Sequence, residues 1–144
     1  MTQVFFYHNA ANRIGATAAL IGKACAQKKP LLVYAPDADI AAELDRQLWA
    51  QAPTSFVPHV AADSPLAAET PVLIASSLES LPHDERLFNL SNDVPPGFSR
   101  FASLIEIVGQ GEEERADGRQ RARFYKDRGY AVRYVDCSGK TDGQ

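Results

Sequence analysis

The side chains able to do chemistry in this chain are few and scattered. His8, His59 and His83 are isolated, and none has partners at the spacing that closes a metal site. His83-Asp84-Glu85 could be drawn as a ligand set, but it reads as a solvated acidic turn. Ser55 and Ser91 lack the glycine-flanked turn that exposes a nucleophile. Cys25 and Cys137 form no CxxC pair and read as reduced thiols of a cytoplasmic protein. Phosphate chemistry needs a glycine-rich turn whose amides converge on an anion. Gly15 and Gly22 fall inside a helical pattern, and Gly22-Lys23 is followed by Ala24 where a phosphate loop requires Ser or Thr. Gly109-Gln110-Gly111 does precede a helix. Its first turn, however, holds Glu112, Glu113 and Glu114, which satisfy the helix dipole themselves and repel a phosphate. No catalytic residue, metal or cofactor is expected.

Cations are the exception to this dispersal. Seven of the 15 Lys and Arg residues lie between Arg115 and Arg133: Arg115, Arg119, Arg121, Arg123, Lys126, Arg128 and Arg133. At helical spacing Arg115, Arg119, Arg123 and Lys126 form one stripe, while Gly118, Arg121, Phe124 and Tyr125 turn to the other side. The bland explanation is a solvated charged face on a helix whose glutamates lead and whose cations follow, as the dipole favours. The sharper one is a receptor for carboxylates or phosphates, since guanidinium groups bind both in a planar fork.

The elements that must position this stripe follow from periodicity. Val4-Phe5-Phe6-Tyr7 and Leu31-Leu32-Val33-Tyr34-Ala35 are continuous apolar runs, as strands buried on both faces require. Further strands are expected at 72–75, 86–90, 103–108 and 130–135. A helix is expected from about Ala11 to Lys28, capped by Asn9 or Asn12, and a second is capped by Asp37 or Asp39 and ends before Pro53. The last helix should span about Glu112 to Arg128, with Gly129 as a left-handed cap. Residues 61–70 read as loop. Strand and helix alternating in this way imply a three-layer, Rossmann-like α/β domain: a mostly parallel sheet with helices on both faces. The expected organisation is one domain over 1–137 and a flexible polar tail over 138–144. A net charge of −3 argues against broad coating of nucleic acid, no signal peptide is visible, and no apolar run approaches the length that spans a membrane.

One more stretch stands out. Between Glu43 and His59 the chain carries its one tryptophan, a proline break and Ser55-Phe56-Val57-Pro58-His59. Such crowding of large anchors suits a docking surface, although buried aromatics more often close a core. Leu44-Asp45, Leu48-Trp49-Ala50, Pro53, Ser55 to His59, Ala62, Pro71-Val72 and Ile74-Ala75 together resemble the chi subunit family of bacterial DNA polymerase III holoenzyme, accessories of the clamp loader. The resemblance implies a non-catalytic replisome adaptor with two protein partners. One is the small psi subunit, through which chi is tethered to the clamp loader; Trp49, Phe56, Val57, Pro58 and His59 are the matching candidates. The other is the acidic C-terminal tail of single-stranded-DNA-binding protein. The pattern from Arg119 to Gly129 is similar to the family's tail-binding helix, which assigns the tail to Arg115, Arg119, Arg123, Tyr125 and Lys126. Ala122 stands where a larger side chain is expected. DNA would be met only indirectly. The competing readings are a small nucleotide-dependent enzyme of Rossmann type, which needs convergent polar groups in a pocket, and direct DNA binding by the last helix, which needs phosphate contacts and a steep salt slope.

Overall fold

Apolar runs that alternate faces need cover on both sides, and the chain supplies it through two crossovers that run in opposite directions. The computed structural model describes residues 2–26, 30–49, 59–61, 72–76 and 85–136. Seven strands and three α-helices are numbered in chain order. They are β1 (Gln3–Ala10), α1 (Arg13–Ala26), β2 (Leu31–Tyr34), α2 (Ala38–Trp49), β3 (His59–Ala61), β4 (Val72–Ala75), β5 (Arg86–Asn89), β6 (Ser103–Gly109), α3 (Glu112–Asp127) and β7 (Val132–Asp136). The strands form one sheet in the order β3-β4-β2-β5-β6-β1-β7, with every pairing parallel. The chain passes from β1 toward β2 in one direction across the sheet, and from β6 to β7 in the other. Connections of one hand then place α1 and α3 on opposite faces.

The two cores show this division. Ile21 of α1 and Leu44 and Leu48 of α2 pack on Leu31, Val33, Val72, Phe88, Ile105 and Ile107. On the other face Ala122 and Tyr125 of α3, with Phe98 and Phe101, cover Val4, Phe6, Leu32, Leu73, Leu87, Leu104 and Val108. Neighbouring residues in each strand thus serve different cores, which is why these strands carry no polar alternation.

Caps and turns settle the boundaries. Asn12, not Asn9, caps α1: its Oδ1 accepts from the Gly15 amide at 2.7 Å. Asp37 caps α2 by accepting from the Asp39 amide at 2.8 Å. Gly129 has φ +87°, its amide donates to the Lys126 carbonyl, and the Tyr130 amide donates to the Tyr125 carbonyl. This closes α3 as expected. It also occupies Tyr130, so β7 begins at Val132 rather than at residue 130. Two expectations fail at the ends of strands. The segment from His59 to Ala61, read partly as loop, is the edge strand β3, paired with Val72–Ile74; three residues are too few to show a period. β1 runs on to Ala10 through a register shift between Tyr7 and Ala10, with Asn9 at φ +65°. The polar stretch 138–144 lies outside the described residues.

Candidate partner-binding surface

Helix α3 touches the sheet along a narrow strip. Its buried residues are Gly118, Arg121, Ala122 and Tyr125, the i, i+3, i+4, i+7 pattern of a single helical face. Gly118 allows the approach: a β-carbon there would stand 2.9 Å from Cγ2 of Val108. The strip is partly ionic. Arg121, 3% exposed, donates from Nε to Oε1 of Glu106 at 2.9 Å and from Nη1 to the Asn92 carbonyl at 3.1 Å. The other carboxylate oxygen of Glu106 accepts from Nδ2 of Asn89 at 2.9 Å and from the Tyr125 hydroxyl. Asn89 in turn accepts from the Ser91 amide at 2.9 Å. Burial, and then the adjacent Glu106 charge, push the Tyr125 hydroxyl well above the ordinary tyrosine range.

This network corrects one assignment. Tyr125 is fully buried and bonded to Glu106, so it does not share the surface of the arginine stripe. The remaining four, Arg115, Arg119, Arg123 and Lys126, are all exposed on the outer side of α3. Among the described residues none of the three arginines forms an ion pair. Lys126 leans on β7, its Nζ 5.1 Å from the centre of the Tyr134 ring.

Sequence reasoning missed the partners of Arg121. Arg121 was placed on the inward side, and an inward arginine demands a carboxylate. Glu106, flanked by Ile105 and Ile107 in an apolar strand, was the available signal. Arg13 was also missed. In open parallel sheets small ligands enter where the crossovers diverge, at the carboxyl ends of the strands; in this sheet that is between β1 and β6. Arg13 fills the place. Its Nε donates to the Ile107 carbonyl at 2.7 Å, and its Nη2 donates to the carbonyls of Ser91 at 2.7 Å and Asn89 at 3.2 Å. Burial and then the nearby Arg121 lower the Arg13 pKa from its usual value. Beside it Glu114 folds back, so that a β-carbon on Gly109 would clash with its carboxylate.

At the other end of the sheet α2 ends at Trp49 and β3 begins at His59. The side chains of both, and the whole of Phe56, Val57 and Pro58, lie outside the described residues. The structure therefore gives that candidate surface no geometry. Among the described residues no helix is long and apolar enough to cross a membrane, and no cluster of three or more His, Cys, Asp or Glu could hold a metal ion.

With the geometry in hand, comparison with known proteins is decisive at the level of family. A family model described as "DNA polymerase III chi subunit, HolC" matches residues 1–133. The chain belongs to the DNA polymerase III chi subunit family. The chain is also similar to the DNA polymerase III subunit chi of Pseudomonas aeruginosa, 29% identical over 136 residues, covering 92% of this chain and 94% of that protein. The protein of the same description from Haemophilus influenzae is 25% identical over 103 residues, covering 71% of this chain and 72% of its own length. Membership connects the chain with DNA replication as a subunit of a polymerase, and the α/β fold with its parallel sheet agrees with the sequence-based expectation.

Proposed function

We propose that this chi-family chain is a non-catalytic adaptor, joining the psi subunit and the clamp loader to the acidic C-terminal tail of single-stranded-DNA-binding protein. The observation that carries the reading is the row Arg115, Arg119, Arg123 and Lys126, exposed on a helix whose inward cation already has its carboxylate. A helix needs no such row to pack. The row suits a string of carboxylates, and its placement on a chain of net charge −3 makes it a local feature rather than a general affinity for polyanions. A crevice filled by Arg13 and shielded by Glu114 offers no cradle for a nucleotide phosphate, which also favours the adaptor over the enzymatic alternative. The psi contact is assigned to Trp49 and the segment from Phe56 to His59, at the β3 end of the sheet, on the family resemblance alone. Joining two modest contacts in one body raises the local concentration of each partner at the other. The cytoplasm is the compartment this role requires.

Calorimetric titration with a peptide of acidic residues ending in a free carboxylate tests the tail contact. Arg119→Ala should weaken binding on the order of tenfold or more, because a charge-assisted hydrogen bond desolvated by the peptide is worth about 1.5–3 kcal/mol. Thermal stability should be unchanged. Equal affinity of the two proteins would return the row to a solvated face and remove the tail from the function.

A further inference from the structure

The sheet edge formed by β1 and β7 is covered on one face and open on the other. On the covered face Ala122 and Tyr125 of α3 pack over Val4 and Phe6. On the opposite face Phe5 and Tyr7 of β1 pair with Arg133 and Val135 of β7. Helix α1 lies over β6, to one side of this strip. Phe5 and Tyr7 are therefore only half-buried, and Val135 is 39% exposed. Two hollows open here. One, of about 260 Å³, lies between Phe5, Leu20, Arg86 and Phe88; the other, of about 350 Å³, lies between Ala10, Ala16, Ala19 and Val135. Tyr7, Leu20 and Lys23 line both, so the hollows form one groove along the flank of α1. From Phe5 to Ala10 the strand runs about 17 Å, the length of about 11 helical residues. The floor is apolar and the rim is cationic. Lys23 and Arg86 line the groove, Arg133 flanks it, and no Asp or Glu is among the described residues lining either hollow. Arg86 is tied to the Pro30 carbonyl and feels the Glu85 charge, whereas Lys23 and Arg133 stand exposed.

We infer that this groove is a docking site for an amphipathic helix of a partner protein, with its apolar face on Tyr7, Leu20 and Val135 and its acidic flanks beside Lys23 and Arg133. A helix laid there takes the position that a further crossover helix would fill in a wider sheet, at about 8–10 Å from α1. Its apolar stripe matches a groove of this form, and charge complementarity across the rim sets the sign of its flanks. A second copy of this chain fits less well, because it would bring a rim of the same charge against Lys23 and Arg133. Residues 137–144 hold no large apolar side chain to seat in the groove. The cation row of α3 lies on the other face of the sheet, so this site is separate from the proposed tail contact.

The probe is a synthetic helix of about 15 residues, a little longer than the groove, with leucines on one face. One version carries Glu on both flanks and the other carries Lys, and binding to the full chain is read by fluorescence anisotropy. Wild type should prefer the Glu-flanked helix roughly two- to fivefold for each exposed ion pair formed. Lys23→Glu should remove or reverse that preference. Ala19→Gln fills the second hollow without adding charge and should weaken the Glu-flanked helix roughly tenfold, as an overfilled contact does. Arg119→Ala should leave its affinity unchanged, which separates the groove from the α3 row. Thermal melts of the variants should match wild type; if Ala19→Gln melts lower, the flank preference of Lys23→Glu decides alone. The assignment is overturned if wild type binds neither helix, or if Lys23→Glu keeps the wild-type preference. It is also overturned if Arg119→Ala weakens binding as much as Ala19→Gln does. A dimer seen in sedimentation that Ala19→Gln dissociates would give the groove to a second copy and overturn the partner helix.

Discussion

Arg121 and Arg123 stand two residues apart on α3 and meet opposite surroundings. Arg121 points inward, is 3% exposed, and is fixed by Glu106 and the Asn92 carbonyl. Arg123 points outward with Arg115 and Arg119, and has no ion pair among the described residues. The same guanidinium therefore holds the helix to the sheet on one side and stands exposed on the other. The difference lies in the 100° between successive helical residues, not in residue type. Counting the arginines of such a helix as one basic patch would merge two unlike environments.

The largest expected effect falls on the inward side. Arg121→Met should cost about 3–5 kcal/mol in denaturant unfolding, because it leaves Glu106 buried without its ion partner. Adding Glu106→Gln should recover part of that loss. If Arg121→Met is neutral, the pair does not hold the helix and the contrast with Arg123 collapses. The next effect belongs to Tyr125. Its hydroxyl pKa is raised on folding above the ordinary value of 10.0, so its contribution to stability is complete below that value. Above it the unfolded chain gives up a proton that the native chain keeps, and stability falls with rising pH, by up to about 1.4 kcal/mol per pH unit. Tyr125→Phe should cost about 1 kcal/mol at neutral pH by removing a hydrogen bond. It should also flatten the decline seen in unfolding curves above pH 10; an unchanged decline would mean that the burial of Tyr125 is not what sets it. The smallest effect tests the outward side. Arg119→Lys keeps the charge and loses the fork, so tail-peptide affinity should fall only a few-fold, with unfolding within about 0.5 kcal/mol of wild type. A loss as large as that for Arg119→Ala would mean that fork geometry, rather than charge, dominates the contact.

Periodicity made most of the fold legible. The apolar runs at 4–7, 31–35, 72–75 and 103–108 became adjacent or neighbouring strands, because a strand buried on both faces has no other way to read. The three-residue strand from His59 escaped, being too short to carry a pattern. At the surface, spacing alone separated Arg121 from Arg119 and Arg123. Tyr125 was harder. A large aromatic with a polar tip can end a core or a binding site, and only the position of Glu106, nineteen residues earlier on a neighbouring strand, decides between them. Arg13 was hidden for a related reason: its shortest hydrogen bonds go to the backbone carbonyls of Ile107, Ser91 and Asn89, which leave no trace in side-chain spacing.

The strand order has a last consequence. β3 and β7 are the two outer strands, separated by six spacings of about 4.8 Å, so roughly 29 Å of hydrogen-bonded sheet lies between them. Electrostatic influence in physiological salt decays over about 8 Å, far less than that distance, and every strand pair between the two edges is parallel. A partner held beside β7 and another held beside β3 would therefore act without coupling. Their binding free energies would add, and neither would announce its arrival to the other. Such a body would be a passive ruler between two loads, setting their distance while leaving each contact free to form and release at its own rate.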